Sequence, residues 1–184
     1  GTQRAITSQT AEVSATLLRP WSPYQSVRLT MSGGLNRSRQ TADGESFELN
    51  SPIIAGLVRL DLSRNWSVSL DARRDITILN GITPEPFESS VVSMRSTGAV
   101  GARLQMSTSA SYTRGAAAVS TSGSFENLVG TVQLQYAVSS WCALFSNYSY
   151  YQHRFRGVEV QAGIPNRYEL NSLRAGVTLG VPIF

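Results

Sequence analysis

The fold is decided by the stretch Val58-Arg-Leu-Asp-Leu-Ser-Arg-Asn-Trp-Ser-Val-Ser-Leu70. Before Arg64-Asn65, apolar residues alternate with polar ones at every second position, and the same alternation resumes at Trp66. Successive side chains of a β-strand point to opposite faces of the sheet, so each half predicts a strand with one apolar and one polar face. The short polar link between the halves predicts a tight turn that joins them as a hairpin.

This strand–turn–strand unit recurs about every 40 residues, a period that indicates a regular β array. Three of the four turns carry a tryptophan, at Trp21, Trp66 and Trp141. The other three units are Ala15–Leu29, Ala102–Ala110 and Val132–Leu144.

Longer polar stretches that contain glycine and proline separate these units, and they predict loops. Short turns therefore alternate with long loops, a rhythm typical of outer-membrane barrels, in which periplasmic turns are short and extracellular loops are longer. We predict an all-β fold, an antiparallel up-and-down transmembrane β-barrel. The predicted loops are Arg37–Asn50, Leu79–Glu88, Gly115–Glu126 and Phe155–Arg167.

The composition agrees with such a barrel. Charged residues make up only 15% of the 184 residues, whereas about 25% is usual for soluble domains. No apolar run approaches the roughly 20 residues that a membrane-spanning helix needs. All 16 basic residues are arginine, and no basic cluster with interleaved aromatic residues indicates nucleic-acid binding.

The pattern predicts nine strands in a single barrel domain, residues 1–184. Bacterial single-chain barrels have even strand numbers, so the odd count leaves three alternatives. The chain is the C-terminal part of a larger barrel and lacks strands at its N-terminus, another chain completes the barrel, or one strand has been split in two. The predicted strands are 9–20, 25–38, 51–64, 66–79, 88–103, 104–115, 126–139, 141–154 and 168–183.

The closing segment Leu173-Arg-Ala-Gly-Val-Thr-Leu-Gly-Val-Pro-Ile-Phe184 resembles the last strand of porin-like outer-membrane β-barrel proteins, which end on an aromatic residue. Phe184 lies out of phase with the apolar residues of this segment. The resemblance implies a place in the outer membrane of a Gram-negative-type bacterium, in contact with its lipid. It also implies recognition of the last strand by the barrel-insertion machinery.

The polar positions of the alternating runs are candidates for the barrel lumen. Fixed charges there could select solutes, as rings of charge do in pores. Alternatively, Arg–Asp pairs across the strands could fill a plugged interior, as side chains do in small barrels. The lumen-facing candidates are Glu12, Arg28, Arg59, Asp61, Asp71, Arg73, Asp75, Arg95, Gln133, Gln135 and Arg174.

Aromatic residues near the strand ends predict girdles at the two membrane interfaces, where amphipathic rings collect. His153 is the only histidine and is assigned to the girdle at the loop end. The other girdle candidates are Trp21, Tyr24, Trp66 and Trp141 at the turn end, and Tyr148, Tyr150, Tyr151 and Phe155 at the loop end.

No nucleophile motif accompanies His153, and Cys142 is the only cysteine. The sequence therefore predicts no catalytic residue, metal site or cofactor. We expect a passive pore or a structural barrel. The alternatives are a barrel subunit of a larger envelope or export assembly, with other protein subunits around it, and a soluble β-sandwich interaction domain.

Overall fold

The computed structural model describes residues 5–42, 45–78, 86–117, 123–157 and 165–180. Within these ranges there is one sheet of nine strands, and each strand is antiparallel to the next. The prediction of nine antiparallel up-and-down strands is confirmed. They are β1 (Ala5–Ser22), β2 (Gln25–Ala42), β3 (Glu45–Ser63), β4 (Trp66–Ile78), β5 (Pro86–Val100), β6 (Leu104–Ala117), β7 (Ser124–Ala137), β8 (Cys142–Arg156) and β9 (Arg167–Leu179).

Four short links join the strands at one end of the sheet, which we call the turn end. Residues 23–24 and 64–65 close the β1–β2 and β3–β4 hairpins, and residues 101–103 join β5 to β6. Gly101 has φ +70°, a left-handed conformation that glycine adopts without a steric penalty. Between β7 and β8, the N–H of Val138 donates to the carbonyl oxygen of Cys142 over 2.9 Å.

A β-bulge at Leu62 sets the phase of the β3–β4 hairpin. Ser63 lies opposite Trp66, but Asp61 lies opposite Ser67, so the register shifts by one residue between them. A one-residue shift moves every side chain of a strand to the other face. The bulge therefore places Asp61 on the same face as the polar residues of β4. A second irregularity, between Pro20 and Ser22, interrupts the β1–β2 register in the same way.

The prediction of a long loop at Arg37–Asn50 is wrong. β2 continues to Ala42 and β3 begins at Glu45, and these residues pair along their whole length. The pairing of β3 with β4 ends at Ile54 and Arg74, so β2 and β3 continue beyond it, together with β1, which pairs with β2 as far as Ala5 opposite Thr41. Main-chain hydrogen bonds hold these paired strands together and do not require alternating apolar side chains. The sequence therefore carries no strand signal here, and its polar composition indicated a loop.

The sheet is not closed into a barrel. Its two edges are β1 and β9. Because the strands alternate in direction and their number is odd, β1 and β9 run in the same direction. Direct closure would therefore require a parallel pair, which differs from every other pair in the sheet. The prediction of a closed antiparallel barrel is not realised by these nine strands alone.

Candidate functional site

The pairing register gathers all eleven predicted lumen residues on one face, because directly opposed residues of neighbouring strands share a face. We call it the polar face. Asp71 lies opposite Ser93, Arg95 opposite Ser109, and Gln133 opposite Ser107. The register places the remaining candidates in phase with these residues. They are Glu12, Arg28, Arg59, Asp61, Arg73, Asp75, Gln135 and Arg174.

The opposite, apolar face carries large hydrophobic side chains that are exposed on all nine strands. The fully buried large side chains lie instead in phase with the polar residues, Phe87 and Phe125 among them, at 0% and 3% exposure. This distribution is the reverse of that in a soluble sheet, whose apolar face is covered. One exposed apolar residue from each strand in turn is Leu17, Met31, Ile54, Leu70, Met94, Tyr112, Val132, Leu144 and Leu173.

On the polar face, side-chain hydrogen bonds join directly opposed residues of neighbouring strands. The hydroxyl of Ser26 donates to Asp61 Oδ2 over 2.7 Å, and the hydroxyl of Ser93 donates to Asp71. The hydroxyls of Ser109 and Thr131 lie 2.6 Å apart. Each such cross-strand pair contributes about 0.2–1 kcal/mol and fixes the register that places the charged residues.

The arginine–aspartate pairs lie within strands, not across them. Arg59 Nε contacts Asp61 Oδ1 at 3.0 Å, and Arg73 contacts Asp75 at 2.7 Å. The spacing of Arg59 and Asp71 on either side of the Arg64-Asn65 turn predicts similar heights for the two residues. The structure contradicts this prediction, because Arg59 lies opposite Ser69 and Asp71 lies opposite Leu57. The Leu62 bulge accounts for one residue of this offset. The arginine side chains of both pairs are about half exposed, so these pairs add little to stability.

Three arginines lie in one row perpendicular to the strands. Arg28 is directly opposite Arg59, Arg59 is opposite Ser69, and Ser69 is opposite Arg95. We call Arg28, Arg59 and Arg95 the inner arginine row. Neighbouring strands are about 4.8 Å apart, so the three Cα atoms lie within about 15 Å of one another. The sequence could not reveal the row, because it depends on the register of four strands.

Two open clefts lie at the turn end. One, of about 500 Å³, is lined by Tyr24, Arg59 and Asp61 among others. The other, of about 470 Å³, is lined by Arg103, Gln135 and their neighbours. Both include residues of the polar face, so this face is accessible to solvent at the turn end.

At the other end, the polar face carries a cluster of aromatic rings that sequence analysis missed. Phe87 of β5 and Phe125 of β7 meet edge to face, with ring centroids 5.2 Å apart. These strands are not neighbours and would be about 10 Å apart in a flat sheet. The Phe125 ring therefore extends across β6 toward Phe87. The cluster continues through His153, whose ring centroid is 4.2 Å from that of Phe155.

Gly115 of β6 makes this contact possible. A Cβ atom at this position would lie 2.1 Å from Cε1 of Phe125, so the ring occupies the space above the glycine. The absence of a side chain at Gly115 lets the ring lie across β6 toward Phe87.

We predict that Gly115→Ala lowers the free energy of unfolding by about 1–3 kcal/mol, because the added methyl group forces the Phe125 ring out of its position. The matched control is Gly130→Ala on the apolar face of β7, where nothing lies within 4 Å of the new Cβ. Chemical denaturation of both variants measures the difference. Equal stability of the two variants would contradict the packing of Phe125 on β6.

The predicted aromatic girdle at the loop end is divided between the two faces. Tyr148 and Tyr150 are in phase with the apolar residues of β8, but Tyr151 and Phe155 are on the polar face. His153, assigned to this girdle from the sequence, is also on the polar face and is only 6% exposed. The four girdle candidates of the other group all lie at the turn end, at or beside the short links. They are Trp21, Tyr24, Trp66 and Trp141.

His153 and Asn127 face each other across β7 and β8. Among the described residues, Nε2 of His153 and Oδ1 of Asn127 are buried without a hydrogen-bond partner. Such atoms cost about 1–3 kcal/mol each when nothing satisfies them. The aromatic cluster is therefore not a purely apolar core.

Comparison with protein-family models, with curated proteins and with solved structures finds no match. In the part of the chain that the structure describes, no helix has the length and hydropathy to cross a membrane.

Proposed function

We propose that this chain forms the wall of an outer-membrane β-barrel that acts as a passive pore. The polar face lines the lumen, and the apolar face contacts lipid. A single observation carries this proposal: the apolar face is exposed on all nine strands, whereas the buried side chains are in phase with the polar residues. An exposed apolar surface of this extent needs a partner, and in the outer membrane that partner is hydrocarbon.

The height of the apolar face supports a membrane partner. On β7, the apolar positions run from Leu128 to Tyr136, eight steps of about 3.3 Å and hence about 26 Å along the strand. At a strand tilt of about 40°, this corresponds to about 20 Å along the membrane normal, close to the roughly 25 Å apolar band of outer-membrane barrels. The turn end then faces the periplasm, and the other end faces outward.

Near the turn end, the charged residues of the polar face are more compatible with a water-filled lumen than with an interior that is filled by paired side chains. Arg59 is half exposed beside its Asp61 partner, and in the described chain Arg95 has no ion pair. Buried arginines would need full pairing. The inner arginine row therefore places positive charge on the lumen wall, and we infer that the pore favours small anions.

Replacing Arg28 and Arg95 together by glutamine is expected to shift the ion selectivity of the pore toward cations, with little loss of stability. Two positive charges leave the lumen wall, and no ion pair within the described residues is broken. Reversal potentials in planar bilayers under a salt gradient measure the shift. Arg114→Gln, on the apolar face, is the control and should leave selectivity unchanged. Unaltered selectivity in the double variant would exclude this face from the conduction path.

The open edges favour a barrel that other strands complete. Because β1 and β9 run in the same direction, antiparallel closure needs an odd number of additional strands. These strands belong either to a longer polypeptide or to another subunit of an envelope assembly, the second candidate function. The edge position of β9 also fits the proposed recognition of the last strand by the insertion machinery. Residues 181–184, which carry the terminal aromatic residue, lie outside the described residues.

Detergent dependence separates the barrel from a soluble β-sandwich. The barrel proposal predicts that the protein folds only with detergent or lipid and shows heat-modifiable mobility on gels. A folded, monodisperse protein in plain buffer would overturn the membrane assignment.

A further inference from the structure

A second set of arginines lies on the apolar face, at the end opposite the turns. Cross-strand pairing places them in one row: Arg114 of β6 is opposite Glu126 of β7, Glu126 is opposite Arg154 of β8, and Arg154 is opposite Arg167 of β9. We call Arg114, Glu126, Arg154 and Arg167 the outer arginine row. Charged residues on this face need an explanation. On β7, every apolar-face position between Glu126 and the turn end carries an apolar or uncharged residue.

The row has an excess of positive charge around Glu126. Its carboxylate lies 3.8 Å from Arg156 and is flanked by Arg114 and Arg154 as direct cross-strand neighbours. Three arginines thus lie next to one glutamate in the pairing register, and one of them, Arg156, contacts its carboxylate. Arg167 is satisfied separately by Glu169, at 2.5 Å. Within the described residues, the arginines next to Glu126 outnumber it, and the Arg156 side chain is 61% exposed.

The position of the outer arginine row along the strands indicates which part of the membrane it contacts. On β7, Glu126 directly precedes the apolar positions that begin at Leu128. If these positions span the hydrocarbon, the outer arginine row lies at the depth of the lipid headgroups. Arginine binds phosphate oxygens through two parallel N–H donors.

We propose that Arg114, Arg154 and Arg156 bind the phosphate groups of membrane lipids in the leaflet next to the loop end. This inference rests on the proposed barrel. The binding orients the barrel in the membrane and stabilises it there, because each arginine close to an anionic surface strengthens the association roughly fivefold. Glu126 contacts Arg156 at 3.8 Å, and the exposed Arg156 side chain leaves N–H groups for the lipid.

The test uses the full chain refolded into phosphatidylcholine vesicles, with and without added phosphatidic acid. We expect phosphatidic acid to raise the unfolding midpoint of the unaltered protein. The triple variant Arg114→Gln, Arg154→Gln, Arg156→Gln should insert into both vesicles but lose this rise. The control variant Arg28→Gln, Arg95→Gln, Arg174→Gln removes the same charge from the polar face and should keep the rise.

The outcomes separate the two proposals. Insertion without a rise, or an equal rise in the triple variant, would overturn the lipid site and leave the barrel standing. A rise produced equally by inorganic phosphate with phosphatidylcholine alone would indicate a small-anion site and would also overturn it. Failure of the unaltered protein to insert into either vesicle would overturn the barrel, and the lipid site with it.

Discussion

Replacing Val132 by arginine is expected to lower the free energy of unfolding in a bilayer by about 2–4 kcal/mol. Val132 lies at the middle of the apolar positions of β7, and its side chain is 37% exposed in the sheet. In the proposed barrel this exposed surface contacts hydrocarbon. A guanidinium group at that depth loses its hydration, and its direct cross-strand neighbours, Thr108 and Tyr148, carry no negative charge to compensate it.

The neighbouring residue provides a matched control. Gln133 follows Val132 on the same strand but points to the polar face, opposite Ser107 and Asn147. Gln133→Arg should therefore cost much less. Both values come from equilibrium unfolding in lipid vesicles, followed by tryptophan fluorescence. An equal cost at the two positions, or none at Val132, would mean that the apolar face does not contact lipid.

Truncation of Phe125 to alanine is expected to lower the free energy of unfolding by about 3–5 kcal/mol. Its ring is 3% exposed, packs edge to face on Phe87, and stacks near His153. Removing it takes away contacts to β5 and β8 at once and leaves a cavity above Gly115. This effect does not depend on the membrane assignment, because the cluster lies on the polar face.

Phe145→Ala is the control for this variant. Phe145 is on the polar face of β8 near the turn end and is only half-buried, so its loss should cost less. If the aromatic cluster also narrows the lumen, Phe125→Ala should raise single-channel conductance, whereas Phe145→Ala should not. A Phe125 variant as stable as the Phe145 variant would contradict the cluster as a packed core.

Most strand positions could be predicted from the sequence because each strand carries its own signal. The alternation around Trp66 or in Val132–Leu144 depends only on neighbouring residues, and the turn residues mark where it stops. The prediction failed at Arg37–Asn50, where polar side chains do not distinguish a loop from paired strands held by main-chain hydrogen bonds. Amino-acid composition alone does not show which backbone N–H groups donate to which backbone carbonyl groups.

The sequence by itself determined the strand count, the antiparallel order and the phase that puts Arg59, Asp71 and Gln133 on one face, since alternation with period two is a local property. Only the tertiary structure decided which residues share a row and which rings meet. The Leu62 bulge puts Ser69 opposite Arg59, and Gly115 lets the Phe125 ring reach a strand that is not its neighbour. These contacts depend on the register of several strands together, because a shift of one residue in any of them would move whole rows to the opposite face.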